Sequence, residues 1–340
     1  MKHRLNMKVS DSAGVARGRG VLPALLLPAH LALFAVATAA PGAQSFPAKP
    51  IRMMVATAIG SGPDVVARLI GSHLSEAWGQ QVVVDARPGA SGLIGAELVA
   101  KAAPDGYTLW MATTAQLIST TMYQRFLMAT EFAPVSMVAS TPYVIASSAA
   151  LPVTSVAELI AYAKAKPGQV LYGSGGQGST SHLCMESFQA VTGVKLTHVP
   201  YKATVLVLND MVGGQMHLTC ASAPVMPPFA QGGRVRSLGV TTLTRTALAP
   251  DLQPIADTVP GFQLIGWFGV VAPLATPKEI IAKLNAGIAQ ALKSAEVQKR
   301  LFAVGAEAAA STPAEFGVFL RNETARWGKI LRESNIRPPD

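Results

Sequence analysis

From residue 51 onward, apolar and polar positions alternate in short blocks. "IRMMVA" (51–56) is almost wholly apolar, as a strand buried on both faces must be. In "PDVVARLIGSHLSEAW" (63–78), Val65, Val66, Leu69, Ile70 and Leu74 recur at helical spacing along one face. "QVVVD" (81–85) predicts the next strand, "GLIGAELVAKAA" (92–103) a helix and "YTLWMA" (107–112) a third strand. Strands apolar on both faces with helices between them predict a parallel sheet covered on both sides. The pattern restarts after "FAPVSMVASTPYVIASS" (132–148). There it predicts a helix over 155–166, a strand over 169–172, a helix from about 179, a strand over 196–199 and a helix over about 203–213. Strands over 216–220 and 235–241 follow, and "GWFGVVAP" (266–273) leads back. Thr276 as N-cap and Pro277 at N1 predict a helix over 276–293, and Thr312 with Pro313 opens another over 312–331.

The N-terminal block has a different pattern. Lys2, Arg4, Lys8, Arg17 and Arg19 precede "VLPALLLPAHLALFAVATAA" (21–40), which carries no charge and ends in the small-residue run "ATA". That is a secretory leader, expected over 1–43 with cleavage near 39–43, and no Cys follows it to carry a lipid. The remaining chain suits two α/β lobes rather than one small core. Much of the formal charge of +9 lies in the leader. The rest, about +5, is spread along the chain without basic clusters or interleaved aromatics, so nucleic acid is a poor partner.

The two cysteines, Cys184 and Cys220, sit in apolar surroundings, which suits core residues better than a bridge. With no C-x-x-C or H-E-x-x-H and six scattered His, no metal or cofactor site is expected.

Ligands of open α/β sheets bind at strand-to-helix loops, here 57–63, 85–92, 112–116, 173–180, 200–203 and 221–224. "YGSGGQGSTSH" (172–182) is the richest: Gly173, Gly175 and Gly178 match G-x-G-x-x-G, the dinucleotide fingerprint. That reading needs an acid at the end of the next strand, where Tyr201 and Lys202 stand, the first acid after it being Asp210. A P-loop needs G-K-[ST], whereas Ser179 directly follows Gly178. An exported serine hydrolase built on Ser179 and His182 is an alternative, but the stretch has no G-x-S-x-G and no nominated carboxylate. What remains is an anion cradle of N–H groups at a helix start, with loop 57–63 as its counterpart across a cleft.

An ordered series of stretches then resembles the substrate-binding proteins of tripartite tricarboxylate transporters, the Bug family. It comprises "FPAKPIRMMV", "DVVAR", "RPGASGLIGAELVAKAAPDGYTL", "FAPVSMVA", "YGSGGQGSTSHL", "HVPYK", "NDMVGGQ", "RVRSLGVTT", "WFGVVAPLATP" and "TPAEF". The resemblance implies a type II periplasmic binding protein fold: an α/β chain with residues 44–142 plus 268–340 as one lobe, 143–267 as the other, and a ligand cleft at the hinge. It implies a monomeric, periplasmic, non-enzymatic receptor for a small carboxylate, delivering to membrane subunits of a transporter or reporting to a two-component sensor.

Carried over by position, first-lobe contacts would be Thr57, Ala58, Ile59, Gly60 and Ser61, with Thr113 and Thr114 nearby. Second-lobe contacts would be Ser174, Gly175, Ser179, Thr180 and His182, with Tyr201, Ala221 and Ser222. The chain departs from the family pattern at Thr57, Ile59 and Ser61 of the first loop, at Ala86 and at Ala203. Ala221 stands where the family often has an acid able to hold an ammonium group, which turns the expectation from amino acids toward other organic acids.

Overall fold

The computed structural model describes Gly14 and residues 46–338. Apart from Gly14, the expected leader lies outside the described residues. The chain begins with β1 (Ile51–Val55), α1 (Gly62–Trp78), β2 (Val82–Ala86), α2 (Leu93–Ala100), β3 (Thr108–Thr113), α3 (Thr114–Tyr123) and the single turn α4 (Met128–Glu131). Next come β4 (Phe132–Ser148), α5 (Val156–Ala165), β5 (Leu171–Ser174), α6 (Thr180–Thr192), β6 (Thr197–Pro200), α7 (Thr204–Val212) and β7 (Leu218–Ser222). The remainder is α8 (Pro227–Ala230), β8 (Val235–Val240), β9 (Ile265–Pro273), α9 (Lys278–Leu292), α10 (Ala295–Ala303), β10 (Glu307–Ala308) and α11 (Pro313–Glu333).

The strands form two sheets joined by β4. In the first, β1 pairs in parallel with β2 and β3, β9 runs antiparallel to β3 and to the N-terminal half of β4, and β10 pairs with β4. In the second, β5 pairs in parallel with β6 and β7, while β7 and β8 run antiparallel to the C-terminal half of β4. The parallel sheet expected from the strand–helix alternation therefore exists only on the flanks. Its centre is antiparallel because β4 and β9 return the chain between the two halves instead of crossing over through a helix.

The handover falls at one place on β4. Pro142 is its last residue paired with β9, and Tyr143 its first paired with β7. Residues Gln44–Asp340 cluster as one unit, as expected when β4 runs through both halves. The long helix α11 packs on β4, α3 and α6, and its Phe316, Leu320 and Trp327 are fully buried in a core that also takes in Trp110, Trp267, Tyr172 and Phe188.

The helix ends follow side-chain chemistry. Thr312 caps α11 in a full capping box with Glu315. At α9 the expected cap is corrected: the Thr276 hydroxyl donates to the Pro273 carbonyl (2.7 Å), and Pro277 occupies the N-cap position. Both cysteines are fully buried, as core residues should be, but they are joined: Cys184 of α6 forms a disulfide with Cys220 of β7.

Candidate functional site

The first loop is held by its own side chains. Thr57 Oγ1 and Ser61 Oγ hydrogen-bond at 2.8 Å, so Ser61, the N-cap of α1, does not cap the helix with its side chain. Asp64 accepts the Gly60 N–H (2.9 Å) and a bidentate pair of bonds from Arg68 (3.0 Å each). The Arg68 guanidinium, followed by the Gly60 N–H, holds the buried Asp64 carboxyl below the ordinary carboxylate range. Its charge is neutralised on the spot and leaves the α1 N-terminus electropositive.

Beside this loop, β3 runs directly into α3. Thr113 is the N-cap and accepts the Gln116 N–H (3.4 Å), while Thr114 Oγ1 accepts the Trp267 N–H (2.9 Å) and so ties α3 to β9.

The Gly-rich stretch turns from β5 into α6. A Cβ on Gly173 would lie 2.3 Å from Val207, so only glycine lets α7 pack this close, and Gly178 turns the chain at φ +74°. Ser179 caps α6 through the His182 N–H (3.3 Å). Ser181 Oγ accepts the Gly175 N–H (2.9 Å) and sits 3.0 Å from Ser179 Oγ and 3.3 Å from Thr204 Oγ1. At the start of α7, Ala203 is the N-cap and has no side chain with which to cap.

These loops face one another across two adjoining cavities of about 310 and 320 Å³. Thr57, Thr113, Thr114, Thr180 and Ser222 line the first; Gly175, Ser179, Thr180, Ala221 and Ser222 line the second. The structure thus brings together eight of the residues expected from both sides of the chain.

Seven others point elsewhere. Ala58, Gly60 and Ser61 shape the first loop, and Ile59 projects into solvent, 78% exposed. Ser174 is buried against His198 Nε2 (2.7 Å). The Tyr201 hydroxyl donates to Asp210 (2.7 Å), whose carboxylate pushes the phenol up to about 12. His182 lies under the loop, accepting the Gly178 N–H on Nδ1 (3.0 Å) and stacking on His198 with centroids 3.9 Å apart.

That placement also bears on hydrolase chemistry. A serine nucleophile needs an imidazole nitrogen aimed at its oxygen, but His182 meets Ser179 only through its main chain and its Nδ1 is occupied. Burial, and then the neighbouring His198, lower the His182 pKa to about 4, against a smaller upward pull from Glu186 at 3.8 Å.

Sequence reasoning missed several lining residues. Ser181 and Thr204 follow helix starts and were within reach of a capping argument. Tyr143, Thr141 and Phe268 sit on β4 and β9, whose central pairing no local pattern announces.

The resulting cleft has two properties. Four helix N-termini open onto it, from α1, α3, α6 and α7, and α1 and α7 lack side-chain caps. Among the described residues, no Lys, Arg, His, Asp or Glu lines either cavity.

Two α/β sheets sharing the long strand β4, with a cleft at the handover, define a type II periplasmic binding protein architecture. Comparison with known proteins identifies the branch. The model of the tripartite tricarboxylate transporter family receptor (TctC) matches residues 66–336. Protein BugT of Bordetella pertussis is 33% identical over 300 residues, covering 87% of this chain and 92% of that one. Among solved structures, R. palustris Rpa4515 with adipate is 38% identical, with a TM-score of 0.70 over 86% of this chain and 100% of that one. MatC (Rpa3494) from Rhodopseudomonas palustris with bound malate is 27% identical, with a TM-score of 0.67 over 84% and 100%. The chain belongs to the tripartite tricarboxylate transporter receptor family, which includes the Bug proteins.

Proposed function

We propose that this protein is a periplasmic receptor that captures a small, non-amino-acid carboxylate and delivers it to the membrane subunits of a tripartite transporter. In this reading residues 44–142 and 268–340 form one lobe, 143–267 form the other, and Thr57, Thr113, Thr114, Gly175, Ser179, Thr180, Ala221 and Ser222 contact the ligand. The carrying observation is the uncharged, hydroxyl-lined cleft onto which four helix N-termini open. Each N-terminus stabilises an anion by about 0.3–1 kcal/mol when exposed and up to about 2 kcal/mol when partly buried. Micromolar affinity requires about 8 kcal/mol. One N-terminus falls far short, whereas four at the upper end reach that scale.

Two further observations support the reading. An ammonium group would find no carboxylate in either cavity, which disfavours amino acids. Relatives of similar fold are described with adipate and with malate. The test is calorimetric titration of the mature chain with adipate, malate, aspartate and glutamate. Micromolar binding of at least one of the first two, with aspartate and glutamate at least about tenfold weaker, is expected. Tight aspartate or glutamate binding, or none by any carboxylate, would sink it.

A further inference from the structure

The two cavities are not equivalent halves of one bowl. The first is framed by the N-termini of α1 and α3 (Pro63 and Thr113 among its walls), the second by those of α6 and α7 (Ser179 and Thr204). Each therefore offers its own pair of helix N-termini to negative charge. Four residues belong to both walls: Ala115, Tyr143, Thr180 and Ser222. Three of these are small; Tyr143 alone is large enough to narrow the passage.

Its ring has little freedom. Tyr143 opens the β7-paired half of β4, and Thr241 locks its backbone at both ends: the Tyr143 N–H donates to Thr241 Oγ1 (3.0 Å), and the Tyr143 carbonyl accepts the Thr241 N–H (2.9 Å). On the facing strand, a Cβ at Gly266 would come 2.9 Å from the ring, so β9 presses directly against it. Burial raises the phenol's pKa, an effect partly offset by the Thr180 side chain, so the hydroxyl stays a neutral donor. On the first-cavity side, Pro63, Phe268 and Pro224 give the passage apolar walls.

We infer that Tyr143 is a specificity-determining residue: standing at the neck between the two cavities, it gauges the span of a two-ended anion that places one charged end in each. This rests on the carboxylate reading above and sharpens it to unbranched dicarboxylates with an apolar spacer. A monocarboxylate fills one cavity only, and a dicarboxylate of the wrong length must give up one pair of helix ends or press on the fixed ring.

The test uses the mature full-length chain and calorimetry with succinate, glutarate, adipate, pimelate and suberate, and with the monocarboxylates of matching length. The wild type is expected to show one preferred length, neighbours binding at least about tenfold more weakly, and monocarboxylates more weakly still. Tyr143→Phe, which keeps the ring, should retain the preferred length with affinity lowered by about three- to tenfold. Tyr143→Ala, which opens the neck, should flatten the length profile and admit the bulkier terephthalate. Tyr143→Leu serves the same purpose should the alanine variant fold poorly by circular dichroism. A folded Tyr143→Ala or Tyr143→Leu protein with the wild-type length ranking overturns the role of Tyr143. Monocarboxylates binding as tightly as dicarboxylates overturn the two-ended ligand while leaving the carboxylate reading intact. Binding of no carboxylate removes that reading and this inference with it.

Discussion

At the residue scale, the least conventional feature is the pair of stacked imidazoles beneath the Gly-rich loop. His182 Nδ1 can accept the Gly178 N–H only while unprotonated. Burial, then His198, set its pKa at about 4, and burial lowers His198 in the same direction. Tyr172 and Glu186 complete the surroundings: Tyr172 stacks on both rings, its hydroxyl donates to Glu186, and Glu186 lies 3.8 Å from His182 Nε2. An unfolded histidine titrates near about 6.5. Between about pH 6.5 and about pH 4 the unfolded chain binds protons that the folded chain refuses. Stability is therefore full above about 6.5 and declines as pH falls through that window. At about 1.4 kcal/mol per pH unit, His182 accounts for roughly 2–3 kcal/mol by pH 4.5 or so. Melting temperatures taken from about pH 7.5 down to about pH 4.5 should drop by several degrees. His182→Asn, whose Oδ1 can accept the same N–H without titrating, should show a shallower decline. An identical decline in the variant would assign the effect to other groups. Residues of this kind define the limit of sequence reading at the site. The hydroxyls at helix starts, Thr113, Ser179 and Thr180, were legible because capping chemistry is local. His182 was misplaced because helical periodicity marks which residues share a face without telling which face meets the cleft, and Tyr143 went unseen because its role arises from strand partners far away in sequence.

At the element scale, helices and most strands, β7 and β9 included, were readable from the pattern, and β4 with the antiparallel pairing around it was not. The β4 segment is interrupted by Pro134 and Pro142 and carries Ser136, Ser140 and Thr141, so neither alternation nor an unbroken apolar run announces a strand. Its partners, such as Trp267 opposite Ser140 and Ser222 opposite Tyr143, lie far off in sequence, which hides the antiparallel direction from any local pattern. The disulfide is a second device invisible to spacing. It joins Cys184, one turn into α6 beyond Thr180, to Cys220, immediately before Ala221 and Ser222, and so staples two walls of the second cavity. With the cysteines 36 positions apart in sequence, the chain-entropy contribution is about 3–4 kcal/mol. Replacing both with alanine should lower the melting temperature by about 5–15 °C and weaken ligand binding, since β7 and α6 are then free to move apart. Equal melting temperatures for the oxidised wild type and the double variant would show that the bridge stabilises nothing.

At the scale of the whole molecule, the two sheets meet in more places than the β4 and β9 strands. The turn between α10 and β10 belongs to the first sheet's side, yet two segments from the other side reach it. Pro224, just after β7, packs on Gly305, and Thr246 Oγ1 donates to Glu307 (2.8 Å). Pro224 and Val304 also line the first cavity, so this contact closes one end of the cleft. It depends on glycine twice over: Gly305 has φ +74°, and a Cβ there would fall 2.1 Å from Pro224 Cγ. Gly305→Ala must therefore push the two sides apart or distort the turn, the backbone strain alone costing about 1 kcal/mol. The cleft should then close less completely, with affinity for the proposed carboxylate reduced at least about tenfold, chiefly through faster dissociation. Stopped-flow tryptophan fluorescence can follow this, because Trp267 borders the first cavity. Adding Pro224→Gly removes the Cβ, Cγ and Cδ atoms that the new methyl would strike. If the Gly305–Pro224 contact is what closes the cleft, the double variant should recover part of the lost affinity, giving a favourable coupling between the two sites in a double-mutant cycle. Wild-type dissociation kinetics in Gly305→Ala, or strictly additive losses in the double variant, would mean that the two sheets close on ligand without this contact, leaving β4 and β9 as the elements that govern their approach.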